Sequence, residues 1–280
     1  MLFRSTSEKP GAVSHIEVDA NPRTGRIEIT TENVRRLHLD LDGVLPNPDG
    51  VIAIDNEEFP FKGSPQLRLE RSVHDRWVIV PENIVTSSNL NPTERNFALS
   101  GPFKQAFGRR MVWVYGTKGT PEENAATLAK VRYDTEVWWY RGNGFVTVLP
   151  DSRFKPERYV GRNVILFGNA DTNSAYDQLL PDCEVRIERD RVTAGKKVFT
   201  GDFGLFLVYR KPDHDGLVGV LGATTAVTMR MAQQSRYFVS GSACPDYAVW
   251  STDALDVGME GLAAAGWFDG GWRLPRSLGR

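Results

Sequence analysis

The chain is poor in the residues that usually announce an enzyme. Its 280 residues include two cysteines and four histidines. Cys183 and Cys244 cannot build a disulfide framework and have no C-x-x-C spacing, so free thiols are expected and the compartment is left open. His15, His38, His74 and His214 supply neither H-E-x-x-H nor a paired Cys/His spacing, so no zinc or other metal site is expected. There is no G-x-S-x-G elbow: the nearest stretch, Ser240-Gly241-Ser242-Ala243-Cys244-Pro245, lacks the closing glycine and runs into proline.

Charge of one sign is also missing. The formal net charge is −1, from 34 basic and 35 acidic residues, and no dense basic block offers the electrostatic footprint that duplex binding requires. No apolar run approaches the roughly 20 residues that span a bilayer, and the opening MLFRSTSEKPG has no apolar h-region. A soluble protein with neither nucleic acid nor membrane as partner is the expectation.

What is present reads as two units. Residues 13 to about 95 are short extended segments separated by turns: VSHIEV, RIEIT, VRRLHLDL, VIAID, QLRLER and RWVIV. In RRLHLDL, Leu37, Leu39 and Leu41 alternate with Arg36, His38 and Asp40, the period of a strand with one face on a core. NPRTG, LPNPDG and FKGSP carry the residues that chain reversals need. An antiparallel β-rich unit over 1–95 follows.

Past the polar stretch TSSNLNPTERN (86–96) the pattern becomes strand, loop, helix. MVWVYG (111–116) has the continuous apolar character of a strand covered on both faces. Thr120-Pro121-Glu122-Glu123 then forms a capping box with proline at the first helical position, and Gly142-Asn143-Gly144 ends the helix. Ala125, Leu128, Val131, Thr135 and Trp138 are its expected inward stripe. The grammar repeats at VILFGNADTNSAYDQLL (164–180) and LVGVLGATTAVTMRMAQQ (217–234). RIERDRVTAGKKV and GLFLVYRKPDHDGLVGVLG read as hairpins, YFVSG and YAVW as short strands, and GMEGLAAAGWF (258–268) as a terminal helix. The expected class is therefore α+β or α/β: the antiparallel unit, then a three-layer α/β unit over 96–280 with a mixed sheet and helices on its faces.

Three constellations bear on chemistry. Asp40-Leu41-Asp42-Gly43-Val44-Leu45 resembles the first motif of haloacid-dehalogenase-type phosphatases, in which one aspartate is nucleophile and the other acid/base beside Mg²⁺. Its strand alternates polar and apolar residues and leads into another strand, and the chain has no later Asp-Asp pair, so a solvated face is the preferred reading. Gly168-Asn169-Ala170-Asp171-Thr172-Asn173 lacks both the G-x-G-x-x-G and the G-K-[ST] that phosphate-binding loops use, which points to a capped turn and no cofactor. Open α/β sheets nonetheless bind ligands at the carboxyl ends of their strands, and Thr117, Asn169, Asp171, Thr172, Thr224 and Thr225 would lie there if the three strands run parallel. Third, Trp138, Trp139, Tyr140 and Arg141 offer a stacking platform for sugar or peptide, with at least one ring expected in the core.

ITTENVRRLHLDL (29–41), LSGPFKQAF (99–107), RNVILFGNADTNSAYDQLL (162–180) and PDYAVW (245–250) together resemble the region downstream of the catalytic domain in large bacterial prolyl-oligopeptidase-like serine hydrolases and related esterases. The resemblance covers roughly residues 14 to 252. It implies that the catalytic triad belongs to a hydrolase domain outside this region, so no catalytic residue carries over. It implies a non-catalytic accessory or interaction module whose partner is a serine-hydrolase domain, in cis or in trans. A small-molecule or saccharide-binding α/β protein using the loop edge is the alternative, and the Asp40/Asp42 phosphatase a second one.

Overall fold

A computed structural model of the chain describes residues 2–9, 11–45, 49–62, 66–80, 94–96, 99–232, 237–240 and 244–275. Parts of the turns at 45–50 and 61–65, most of the polar stretch 86–96, and Ser242 lie outside the described residues. The chain forms two compact units, Met1–Asn96 and Phe97–Arg280.

The first unit holds β1 (Leu2–Ser7), β2 (His15–Asn21), β3 (Arg26–Glu32), β4 (Val34–Asp40), β5 (Gly50–Ile54), β6 (Glu57–Phe61), β7 (Gln66–Arg71) and β8 (Trp77–Ile79). They make two four-stranded sheets, ordered β1-β4-β7-β8 and β2-β3-β5-β6. Alternation drives both: Ile27, Ile29, Ile52 and Ile54 from one sheet and Leu37, Leu39, Leu67, Leu69 and Trp77 from the other share one buried core. Asp55, at φ +51° in the β5–β6 turn, ties the sheets together. Its carboxylate accepts from Trp77 Nε1 at 2.8 Å, Arg71 Nη2 at 2.9 Å and Thr31 Oγ1 at 2.9 Å.

The expected antiparallel unit is present, with two additions and one exception. β1 and β6 were not legible as strands, the latter because it contains Pro60; β6 is an edge strand, where a missing N–H costs no ladder bond. β3 pairs with β5 in parallel, while the other pairs of this unit are antiparallel.

The second unit is built on a seven-stranded mixed sheet. Its parallel part consists of β9 (Met111–Tyr115), β10 (Thr147–Pro150), β11 (Asn163–Phe167) and, after an antiparallel strand β15 (Phe203–Arg210), β16 (Leu217–Ala223). β17 (Tyr247–Ser251) and β18 (Leu262–Gly266) complete the order β10-β9-β11-β16-β15-β17-β18. Between β9 and β10 runs α1 (Pro121–Gly142), and β16 leads to α3 (Ala226–Met231).

The two faces of this sheet are covered differently. Trp113, Ile165 and Gly219 share one row of the register, and a Cβ on Gly219 would lie 3.1 Å from Ala106. This face therefore meets the 3-10 helix Phe103–Phe107, together with α1 and α3, which join Ala223 through Ala126 and Met229. Gly222 points the other way, where a Cβ would lie 2.8 Å from Ile187. That side carries a three-stranded antiparallel sheet, β12 (Val185–Glu188), β13 (Arg191–Ala194) and β14 (Lys197–Thr200), and the one-turn helix α2 (Tyr176–Leu179). Tyr209, Phe268 and Trp272 pack beside it. Three layers are present as expected, but the outer layer on the second face is mainly a sheet. Asp190 and Gly195, both at positive φ, make the tight hairpins of that segment.

Several local expectations are corrected. The helix of the second repeat shrinks to Tyr176–Leu179; that of the third is Ala226–Met231, and residues 233–234 of the expected helix lie outside the described residues. Backbone groups of 168–175 are taken up by turn bonds, and Pro181 disfavours helical geometry at Leu180. Of the expected terminal helix 258–268, Gly258–Gly261 is a 3-10 helix and the rest gives way to β18, because its alanines pair with β17 and sheet pairing outweighs alanine's helix propensity. Tyr237 and Phe238, expected in a strand, lie in a turn; both rings pack on Phe107, and that of Phe238 also on Trp138.

The inward stripe of α1 keeps Val131 and Trp138 as expected but differs at its other positions. Ala125 is exposed and Leu128 and Thr135 are only half-buried, whereas Ala126, Thr127, Lys130, Val131 and Asp134 face inward. Lys130 and Asp134 are 0% and 2% exposed. Their side chains pair at 2.6 Å and both bond the hydroxyl of Tyr237, itself buried. Burial pushes the Lys130 ammonium down and the Asp134 carboxyl up, and each is opposed by the partner's charge. A hydrogen-bonded polar triad thus lies on the face that an apolar pattern would have assigned to Leu128 and Thr135.

Candidate functional site

β9, β10, β11 and β16 all run in the same direction, so their carboxyl ends form one edge. The neighbours β9 and β11 leave the sheet toward opposite faces, α1 on one and α2 on the other, which makes the gap between them the place where such sheets bind ligands. Thr117 follows β9, Asn169, Asp171 and Thr172 follow β11, and Thr224 and Thr225 follow β16, so topology brings all six expected residues to this edge.

The chain's own side chains fill the gap. Asn173 inserts there and its amide donates to Val114 O at 3.1 Å and Phe167 O at 3.0 Å, bridging the ends of β9 and β11. Its Oδ1 accepts from Ala175 N at 3.0 Å. Gly116 allows the approach: a Cβ there would lie 2.4 Å from Thr172 O. Asp151, buried at the end of β10, accepts from Thr117 Oγ1, from Ser152 N at 2.9 Å and from Ser174 N at 2.7 Å. One carboxylate therefore ties the loops after β9, β10 and β11.

The remaining candidates are engaged in the same way. Asn169 Oδ1 accepts from Asp171 N at 3.0 Å and Thr172 N at 3.1 Å, and its amide donates to Ala223 O at 2.9 Å. Thr172 Oγ1 accepts from Asn169 N at 3.0 Å. Asp171, exposed, accepts from Arg189 N at 2.8 Å. Thr224 Oγ1 donates to Gly201 O at 2.8 Å, while Thr225 caps α3 and bonds Asp202 at 3.0 Å. What is left among Glu123, Thr127, Asn169, Thr172, Thr224 and Met229 is a space of about 10 Å³, the size of one water molecule.

The amino terminus of α1, which opens onto the same edge, is also self-satisfied. Thr120 Oγ1 accepts from Glu123 N at 3.2 Å and Glu123 Oε2 accepts from Thr120 N at 2.7 Å, the full capping box. Arg189 then clamps Glu123 in a bidentate pair at 2.8 and 3.0 Å. The Arg189 hydrogen bonds first, and the Thr120 backbone N–H after them, hold the Glu123 carboxyl below its ordinary value of 4.5 against the opposing effect of burial. A depressed folded value means stability that is complete above the ordinary value and lost as pH falls through the depressed one. Glu123→Gln is expected to be less stable at neutral pH and to show a flatter decline of Tm between about pH 5 and 3; a decline as steep as wild type would remove Glu123 from this role.

The other constellations are separate from the edge. Asp40 ends β4, which is antiparallel to both its neighbours, and its carboxylate accepts from Asp42 N at 3.1 Å. Phosphatase chemistry would require those carboxylates at the end of a buried parallel strand. Among the described residues no group of three or more His, Cys, Asp or Glu is placed to hold a metal ion. Cys183 and Cys244 are free, and burial pushes the Cys183 thiol up to about 12, far from the thiolate state that nucleophilic cysteines need. His214 sits at φ +59° in its turn, with Nδ1 3.2 Å from Arg210. No described helix is long and apolar enough to cross a membrane.

Asn173 and Asp151 were not singled out by sequence reasoning. The only signal was their position just beyond β11 and β10, since an Asn or Asp in a loop carries no mark of what it reaches. No protein-family model matches the chain, and no curated protein matches it.

Proposed function

We propose that this chain is a non-catalytic accessory and interaction module of a serine-hydrolase assembly, its partner domain supplied in cis or in trans. The observation that carries the reading is the closed carboxyl edge: the position where an α/β sheet would hold a ligand is filled by Asn173, Asp151 and the 168–175 loop. Binding capacity then resides on outer surfaces. The four quoted segments that resemble the post-catalytic region of prolyl-oligopeptidase-like hydrolases support the same reading and supply the partner's class.

The test uses the full chain in three parallel assays. It is co-expressed with a serine-hydrolase domain of the prolyl-oligopeptidase type, screened by thermal shift against nucleotides, sugars and peptides, and assayed with aryl esters. The expected result is a complex that survives size exclusion, with no ligand shift and no turnover. Ester hydrolysis that persists through repurification would overturn the proposal. A sugar or nucleotide shift abolished by Asp171→Ala would replace it with the small-molecule or saccharide reading, and magnesium-dependent phosphatase activity lost in Asp40→Asn with the phosphatase one.

A further inference from the structure

The opposite edge of the parallel strands carries exposed aromatic surface and unpaired positive charge. Trp139, Tyr140 and Phe145 are 68%, 81% and 94% exposed. Their neighbour Trp138 shows how the site is held. Its ring packs on Phe107 and Phe238, with centroids at 6.2 and 5.4 Å, and over Gly144, where a Cβ would lie 2.3 Å from the indole nitrogen. One ring anchors the end of α1 while the next two stay in water. Phe145 lies two residues before β10, and the register that sets Thr147 opposite Val112 makes it the counterpart of Arg110. Arg109 and Arg110 are both exposed. Asn163 N donates to Arg110 O at 2.9 Å, which brings the segment before β11, with exposed Arg158 and Val160 and half-buried Arg162, to the same end.

Charge pairing distinguishes this edge from the rest of the unit. Arg186, Arg189, Arg191 and Arg230 each pair with a carboxylate. Arg109, Arg110, Arg141, Arg158 and Arg162 have no ion pair among the described residues, a condition otherwise met in this unit only by Arg132, Arg153 and Arg273. Arg162 lies 5.9 Å over the Tyr159 ring. Of the nearby acids, Asp215 is engaged by Lys211 and Gly161 N, which leaves Glu136 and Glu157.

Exposed Trp and Tyr beside Arg are the side chains that dominate protein interfaces, and an exposed ring contributes nothing to the fold's own core. Guanidinium groups take carboxylates in bidentate geometry and stack on aromatic rings. We propose that the amino-terminal edge of the seven-stranded sheet is a docking surface for an acidic polypeptide segment bearing apolar side chains. Trp139, Tyr140 and Phe145 provide its apolar contacts and Arg109 and Arg110 its charge contacts. A polypeptide is favoured over nucleic acid because exposed Phe145 and Val160 match apolar side chains and the chain has no dense basic block to follow a phosphate backbone.

The inference rests on the reading of the chain as an interaction module, and its probe contains no hydrolase, so failure here would leave that reading intact. The full chain is titrated with fluorescent glutamate–tyrosine copolymer, polyglutamate and single-stranded oligothymidylate at low and high salt. The copolymer should bind more tightly than polyglutamate and weaken with salt. Trp139→Ser/Phe145→Ser and Arg109→Ser/Arg110→Ser should each reduce its affinity about tenfold or more with unchanged thermal melts. No binding by the wild type, binding unchanged in both variants, or equal affinity for polyglutamate would overturn the proposal. Tighter binding of oligothymidylate would overturn it in favour of nucleic acid.

Discussion

Asp134→Ala is expected to destabilise the unit that contains α1 by about 3 to 5 kcal/mol, the cost of leaving a buried charge without its counterion. Lys130 has no route to solvent from 0% exposure, and its ammonium would keep only the Tyr237 hydroxyl. Chemical denaturation followed by tryptophan fluorescence measures the loss. Tyr237→Phe should cost less, about 1 to 2 kcal/mol, because the Lys130–Asp134 pair at 2.6 Å survives it. The double replacement Lys130→Met/Asp134→Leu removes both charges at similar volume and should recover most of the stability. If the single and double variants were equally unstable, packing around α1 and not charge burial would be the cause.

The second large effect is expected at Asn173. Asn173→Ala removes two bonds to the ends of β9 and β11 and one from Ala175 N. Phe167 O retains Gly116 N as a donor at 3.0 Å and Val114 keeps its place opposite Leu166 in the β9–β11 ladder, but the buried Ala175 N loses its acceptor. With net values near 1 kcal/mol per bond and a penalty for the buried Ala175 N–H left without an acceptor, a loss of about 2 to 4 kcal/mol follows. Asn173→Asp preserves shape and reverses polarity, setting a carboxylate against two carbonyl oxygens, so it should be worse than alanine. Thermal denaturation of both variants checks the order. A neutral alanine variant would mean that the gap between β9 and β11 is held shut by other contacts, and the argument from a closed edge would lose its main support.

Both predictions concern polar residues inside the fold, and neither was visible as such in the sequence. The helix itself was: Thr120, Pro121 and Glu123 begin α1, and Asn143, at φ +46°, ends it. Its apolar pattern marks Val131 and Trp138 as inward but not Lys130 and Asp134, which share the buried stripe. The partner that makes their burial tolerable, Tyr237, is more than a hundred positions away. The six residues expected at the carboxyl edge do gather there. Their engagement depends on Asp151 and Asn173, whose reach across neighbouring strands no local pattern encodes. In the aromatic run 138–140 at least one core ring was legible, since adjacent residues on a helix point in different directions; the structure makes it Trp138 and leaves Trp139 and Tyr140 exposed.

Sequence alone determined the periods and punctuation of this protein: alternating strands in the first unit, a capped and terminated α1, hairpins where Gly and Asp reverse the chain, and a mixed sheet in the second unit. These are short-range properties, set by backbone sterics and by neighbours within a few residues. Tertiary structure alone decided that 262–266 is a strand, that a small sheet covers the second face, that Lys130 and Asp134 are buried, and that Asn173 closes the ligand edge. Each of those outcomes depends on a partner distant in sequence, and its free energy exists only once the layers have met.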